Sequence, residues 1–95
     1  MKRVYLLAYS DSLGSRDRIK SILSEMSDVI TWRCDLPYSF YIVSSVNATS
    51  LSDQIRKKAG GKGRFLITEI DSNRQGWLTP DSWHLIRQKR LKPRS

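Results

Sequence analysis

Two amphipathic stripes, each set between strand-like runs, constrain this chain more than any other feature. Ile19, Ile22, Leu23 and Met26 recur at helical spacing, and so do Ala48, Leu51, Ile55 and Ala59. The first stripe predicts a helix over residues 15–26, with Ser15 as its N-cap and Asp17 in its first turn, where the helix dipole favours an anion. The second predicts a helix over residues 47–59, with Asn47, Thr49 and Ser50 competing as N-cap. Gly60-Gly61 stops it.

The runs around these helices read as strands. Residues 4–9 are short and rich in β-branched and aromatic side chains, with Val4, Leu6 and Ala8 on one face and Tyr5, Leu7 and Tyr9 on the other. Residues 29–34 alternate, which places Ile30, Trp32 and Cys34 opposite Val29, Thr31 and Arg33. Asp35-Leu36-Pro37-Tyr38 is turn chemistry. Residues 40–45 follow as a partner strand, with Phe40 and Ile42 opposite Tyr41 and Val43, so the two runs predict an antiparallel hairpin. Residues 64–71 read as a fourth strand, with Phe65 and Ile67 opposite Leu66 and Ile70. Thr79-Pro80-Asp81 then opens a further helix, Thr79 as N-cap and Pro80 at the first helical position, expected to run to about Lys89.

The element order is β-α-β-β-α-β. Right-handed crossovers put both helices on one face of a four-stranded antiparallel sheet. The expected fold class is therefore α+β, ferredoxin-like, with a short C-terminal helix. We expect one domain over residues 1–95, with a core at 3–71, the added helix at about 80–89 and a basic tail at 90–95. A chain of this length buries only about 60–65 % of its unfolded surface. A deep enclosed active site is hard to fit, so a ligand is expected at a surface or between subunits. Only the C-terminal segment is left to cover the second sheet face, and pairing of two copies through that face is the simplest expectation.

Charge sets the expected partner. The net charge is +8, and it is unevenly placed. Residues 1–55 hold six Lys/Arg and six Asp/Glu. Residues 56–95 hold eleven against three and so carry the whole excess. Such asymmetry favours a polyanion, DNA or RNA first, and otherwise serves as a solubilising face. The candidate nucleic-acid contacts are Arg56, Lys57, Lys58, Lys62 and Arg64, then Arg87 and Arg90, with Lys89, Lys92 and Arg94 extending the tail. Glycines within 60–63 let backbone N–H groups and cations approach phosphate. The competing role of the first group is to neutralise a helix C-terminus. Gly60-Gly61-Lys62-Gly63 lacks the spacing of a P-loop.

Other chemistry is sparse. Cys34 is the only cysteine, so there is no internal disulfide, and a small core residue is its expected role. His84 has no Ser, Cys or Asp at a telling spacing. Trp77 and Trp83 read as core or interface residues, with base stacking as the alternative. No segment reaches the ~18 apolar residues of a membrane span. The apolar run after Lys2-Arg3 meets Asp11 too soon for a signal peptide, so a cytoplasmic protein is the default expectation.

The opening Lys2-Arg3-Val4-Tyr5-Leu6-Leu7-Ala8-Tyr9-Ser10-Asp11 and the segment Phe40-Tyr41-Ile42-Val43-Ser44-Ser45 resemble the SinR-like small proteins, relatives of the CRISPR-associated adaptation protein that pairs with the integrase. The resemblance spans residues 1 to about 71. It implies a ferredoxin-like dimer with sheets face to face, and either a structural nucleic-acid binder or a metal-dependent nuclease. The family's metal-binding aspartate closes the first strand directly after a Tyr. Here Ser10 takes that place and Asp11 follows one residue later, which changes the face a side chain points to. The ending also departs, with Trp77-Leu78 and a capped helix where the family tends to carry a strand that crosses to its partner.

The expected function is a small dimeric nucleic-acid-associated protein that is not catalytic and needs no cofactor. One alternative is a magnesium-dependent endonuclease with Asp11 as the ligand, against a loop-capping role for that residue. A second is a protein-interaction or toxin–antitoxin-like module. A third is an RNA-recognition module stacking bases on Tyr5 or Tyr9 and Tyr41, although the third strand lacks that module's pattern.

Overall fold

A computed structural model describes residues 1–91. Lys92 and Arg94 of the expected basic tail lie outside the described residues. The elements follow in the order β1 (Arg3–Tyr9), α1 (Arg16–Glu25), β2 (Val29–Arg33), β3 (Ser39–Ser44), α2 (Ala48–Lys58), β4 (Phe65–Glu69) and α3 (Pro80–Gln88). The four strands form one antiparallel sheet in the order β2-β3-β1-β4. The described residues thus form a small α+β domain with three helices. Among the described residues no helix is long and apolar enough to cross a membrane.

Local chemistry explains each helix boundary. The Ser15 side chain accepts the Arg18 backbone N–H, Asn47 accepts that of Ser50, and Thr79 accepts that of Ser82. Each cap satisfies an N–H that the helix leaves open. At the far end of α3, Lys89 adopts the left-handed conformation and donates its N–H to the Leu85 carbonyl, which closes the helix.

One face of the sheet carries α1 and α2. Tyr5, Leu7, Tyr9, Phe40 and Ile42 pack there against Ile19, Ile22, Leu23 and Met26 of the first helical segment and Leu51 and Ile55 of the second. Fully burying one such aliphatic side chain stabilises by roughly 1.5–3 kcal/mol, so this layer dominates folding. The Tyr5 hydroxyl, taken into the core, donates to the Val46 carbonyl at 2.7 Å.

Two expectations for the strands fail. Val29, Trp32 and Cys34 all pack on the helix layer, whereas Ile30 is exposed. The cause is a bulge: Val29 pairs with Ser44 and Thr31 with Val43, so Ile30 is the extra residue. One inserted residue switches the facing of everything before it. The aromatics that the RNA-recognition alternative needs on an open face are also committed elsewhere. Tyr5 and Tyr9 are buried beneath the helices, and Tyr41 is buried on the opposite face. None of the three presents a ring for base stacking.

That opposite face is occupied over its middle by α3. Leu85 and Ile86 pack on Val4, Tyr41 and Val43, joined by half-buried Leu6, Ile70, Leu78 and Trp83. A small polar network docks the helix start. The Arg33 Nε donates to Ser82 Oγ at 2.8 Å, and that hydroxyl donates to Asp35 Oδ2, also at 2.8 Å. The Thr79 N–H and hydroxyl reach the same carboxylate at 3.2 and 3.3 Å. The Ser82 and Thr79 hydrogen bonds hold the Asp35 carboxyl below its ordinary range. The C-terminal segment therefore covers the part of the face that was expected to pair with a second copy. A strip along β4 stays bare, where Leu66 is 63 % exposed.

Candidate nucleic-acid interface

Strand direction decides which loops meet. β1 ends, β2 ends and β4 begins at the same end of the sheet, because β1 and β2 each run antiparallel to β3, and β4 runs antiparallel to β1. The loop at residues 10–14, the start of α1, the end of α2 and the loop at residues 59–64 are gathered there.

Hydrogen bonds lock the two loops together. The Ser10 N–H donates to the Arg64 carbonyl at 3.1 Å, and the Arg64 N–H donates to Ser12 Oγ at 3.1 Å. Leu13, between them in space, is buried in the helix-side core. Gly63 lies against its backbone with φ +104°, a conformation that side chains disfavour. Gly60 and Gly61 also have positive φ and let the chain turn tightly out of α2.

Around this junction stand the cations. Arg56, Lys57, Lys58, Lys62 and Arg64 are all exposed. Lys58 lies 3.7 Å from Glu25, an exposed pair of small energetic weight. Arg18 donates from Nη2 to the Lys58 carbonyl at 3.0 Å and so caps α2 from the neighbouring helix. This contact adds Arg18, and with it Arg16 on the same helix turn, to the basic end. Sequence reasoning missed both because they lie in the charge-balanced half of the chain; the signal available was their position at the start of a helix adjoining a Gly-rich turn. The expected role of cations at a helix C-terminus is present too, since Arg56, Lys57 and Lys58 form the last turn of α2.

The other two expected contacts lie apart. The start of α3 is bonded to Asp35, at the basic end, and its Leu85 and Ile86 pack on Val4 and Val43, near the opposite end of the sheet. Arg87 and Arg90 follow them and belong to that far end. Arg87 lines a groove with Arg74, Trp83 and the loop at residues 72–76. Trp77 is 97 % exposed, which removes it from the core. Trp83 packs into the apolar layer under α3.

Asp11 is exposed at the basic end. It shares a shallow groove with Tyr9, Arg16, Asp17 and Tyr38. Burial pushes the Tyr9 phenol above its ordinary range, and nearby Arg16 offsets part of that rise. Among the described residues no group of three or more His, Cys, Asp or Glu gathers where it could hold a metal ion. Cys34 is half-buried against the helix layer. Among the described residues the buried His84 Nε2 and Tyr41 hydroxyl have no hydrogen-bond partner.

Comparison with protein-family models, with curated proteins and with solved structures finds no match.

Proposed function

We propose that this chain is a non-catalytic nucleic-acid-associated protein that holds the phosphate backbone at the end of the sheet where residues 10–14 meet residues 59–64. The observation that carries this reading is the bonded junction of the two loops through Ser10, Ser12 and Arg64. It brings exposed Lys62 and Arg64 beside the last turn of α2 and the Arg18 guanidinium. Point cations on a rigid, Gly-rich frame suit phosphate without reading base sequence.

The element order and the strand order β2-β3-β1-β4, read from β4, support a ferredoxin-like assignment. Kinship with the SinR-like and CRISPR-associated adaptation proteins belongs to the same proposal, as does pairing of two copies. The bare strip beside Leu66, on a strand at the sheet edge, supports such pairing along β4, clear of α3. Light scattering tests it: mass should double with rising concentration, and a Leu66→Lys variant should stay monomeric.

Binding is tested by anisotropy with labelled duplex and single-stranded DNA and RNA at two salt concentrations. Affinity should fall steeply as salt rises, because each neutralised phosphate releases counterions. No binding at low salt would remove the reading.

A second reading takes Asp11 as the magnesium ligand of a nuclease, and its support is the groove it shares with Asp17. Magnesium-stimulated cleavage abolished in Asp11→Asn would favour it. Cleavage unchanged in that variant would reject it.

A further inference from the structure

We propose that the groove between the loop at residues 72–76 and α3, together with Trp77, the residue that directly follows Gly76 of its lining, takes an unpaired nucleic-acid base and its neighbouring phosphates. The inference rests on the phosphate-binding reading and extends it to a second place on the molecule.

Trp77 is the one tryptophan left bare among the described residues. Trp32 packs edge-on against Phe40, and Trp83 lies in the layer under α3. Trp77 is 97 % exposed, and the backbone that follows it is anchored. Leu78 is anchored in that same apolar layer, and Thr79 is bonded to Asp35 and caps α3. With the backbone after it anchored, the indole gives up chiefly its own rotamer freedom when a flat apolar partner stacks on it.

The groove beside it is cationic. Its lining is Ser72, Arg74, Gln75, Gly76, Trp83 and Arg87, with no carboxylate among them. Arg74 donates from Nη1 to the Asp71 carbonyl at 3.0 Å, which fixes its guanidinium along the loop. The nearby Asp71 carboxylate is engaged by the Ser72 N–H at 2.7 Å. Two arginines in a groove whose loop runs directly into an open indole match the chemistry of a single strand. The base supplies a π-face, and the phosphates on either side supply the charge. In a duplex each base is already stacked, so Trp77 has nothing to receive.

The test is anisotropy with fluorescein-labelled oligo-dT of about 16 nucleotides, the upper end of one small domain's site size, and with a blunt duplex of equal length. Trp77→Ala should weaken oligo-dT binding on the order of tenfold, leave duplex binding within about twofold, and leave the thermal midpoint unchanged. Trp77→Phe should keep most of the affinity. Arg74→Ala should weaken oligo-dT binding and flatten its salt dependence. If Trp77→Ala leaves oligo-dT binding intact, or weakens both ligands alike, the stacking site is overturned while the phosphate reading stands. If Trp77→Ala instead abolishes self-association with oligo-dT binding unchanged, the indole belongs to a protein interface and the inference fails. If the wild-type protein binds neither ligand, the phosphate reading fails, and this inference with it.

Discussion

A Cβ placed on Gly63 would stand 2.4 Å from the Cα of Leu13. The two loops of the basic end are in direct backbone contact, and only a glycine fits between them. Gly63→Ala should therefore cost about 1–3 kcal/mol, from the clash and from forcing a side chain onto φ +104°. Urea denaturation reads the loss. Gly76→Ala is the control, since a Cβ there meets nothing within 4 Å; it should change stability by less than about 0.5 kcal/mol.

The Ser82 hydroxyl links the Arg33 guanidinium to the Asp35 carboxylate from a fully buried position. Ser82→Ala leaves both charged groups short of a partner and should destabilise by about 1–3 kcal/mol. Denaturant melts check this, and loss of Trp83 fluorescence shielding would show that α3 has loosened.

Asp35 gives the same dock an acid dependence. Its carboxyl is held below the ordinary 3.8 by the Ser82 hydrogen bond first and the Thr79 contacts after it. The carboxylate's contribution is complete above pH 3.8, declines below it, and vanishes once pH has passed below the folded-state value. Asp35→Asn should remove that part of the acid sensitivity. A stability profile between pH 2 and 6 (roughly the range spanned by ordinary carboxylates) decides the matter.

Burial pushes the Tyr41 phenol up to about 12, with the Asp35 charge acting in the same direction. The neutral form is thus favoured in the folded protein. This contribution is complete below pH 10 and is lost as pH rises through 12. An absorbance titration should show a tyrosine step near pH 12. Among the described residues the Tyr41 hydroxyl has no hydrogen-bond partner, so Tyr41→Phe should remove that late step while leaving stability unchanged or slightly improved.

Most of the fold could be read before any coordinates. Ile19-Ile22-Leu23-Met26 and Leu51-Ile55 announced the helix layer, and Thr79-Pro80-Asp81 announced α3 almost to the residue. The facing of Val29 and Ile30 was not legible, because a bulge leaves alternation in the sequence intact while shifting it in space. The covering of the second face was legible only as an expectation, since nothing local in Arg33, Asp35 or Ser82 says that they meet across more than 40 residues of chain. The basic end was half visible. Its cations stand together in the sequence, but the link from Arg64 to Ser12 is long-range. Strand direction, not composition, separates Arg87 and Arg90 from it.

The salt dependence of binding is the sharpest measure of whether the loop junction holds phosphate. Lys62→Ala with Arg64→Ala removes two exposed side chains and keeps the Arg64 backbone bonds to Ser10 and Ser12. The account predicts weaker binding to duplex DNA, with the slope of log affinity against log salt shallower by about 1–2 units. A double variant that binds as tightly as wild type, with an unchanged slope, would contradict it.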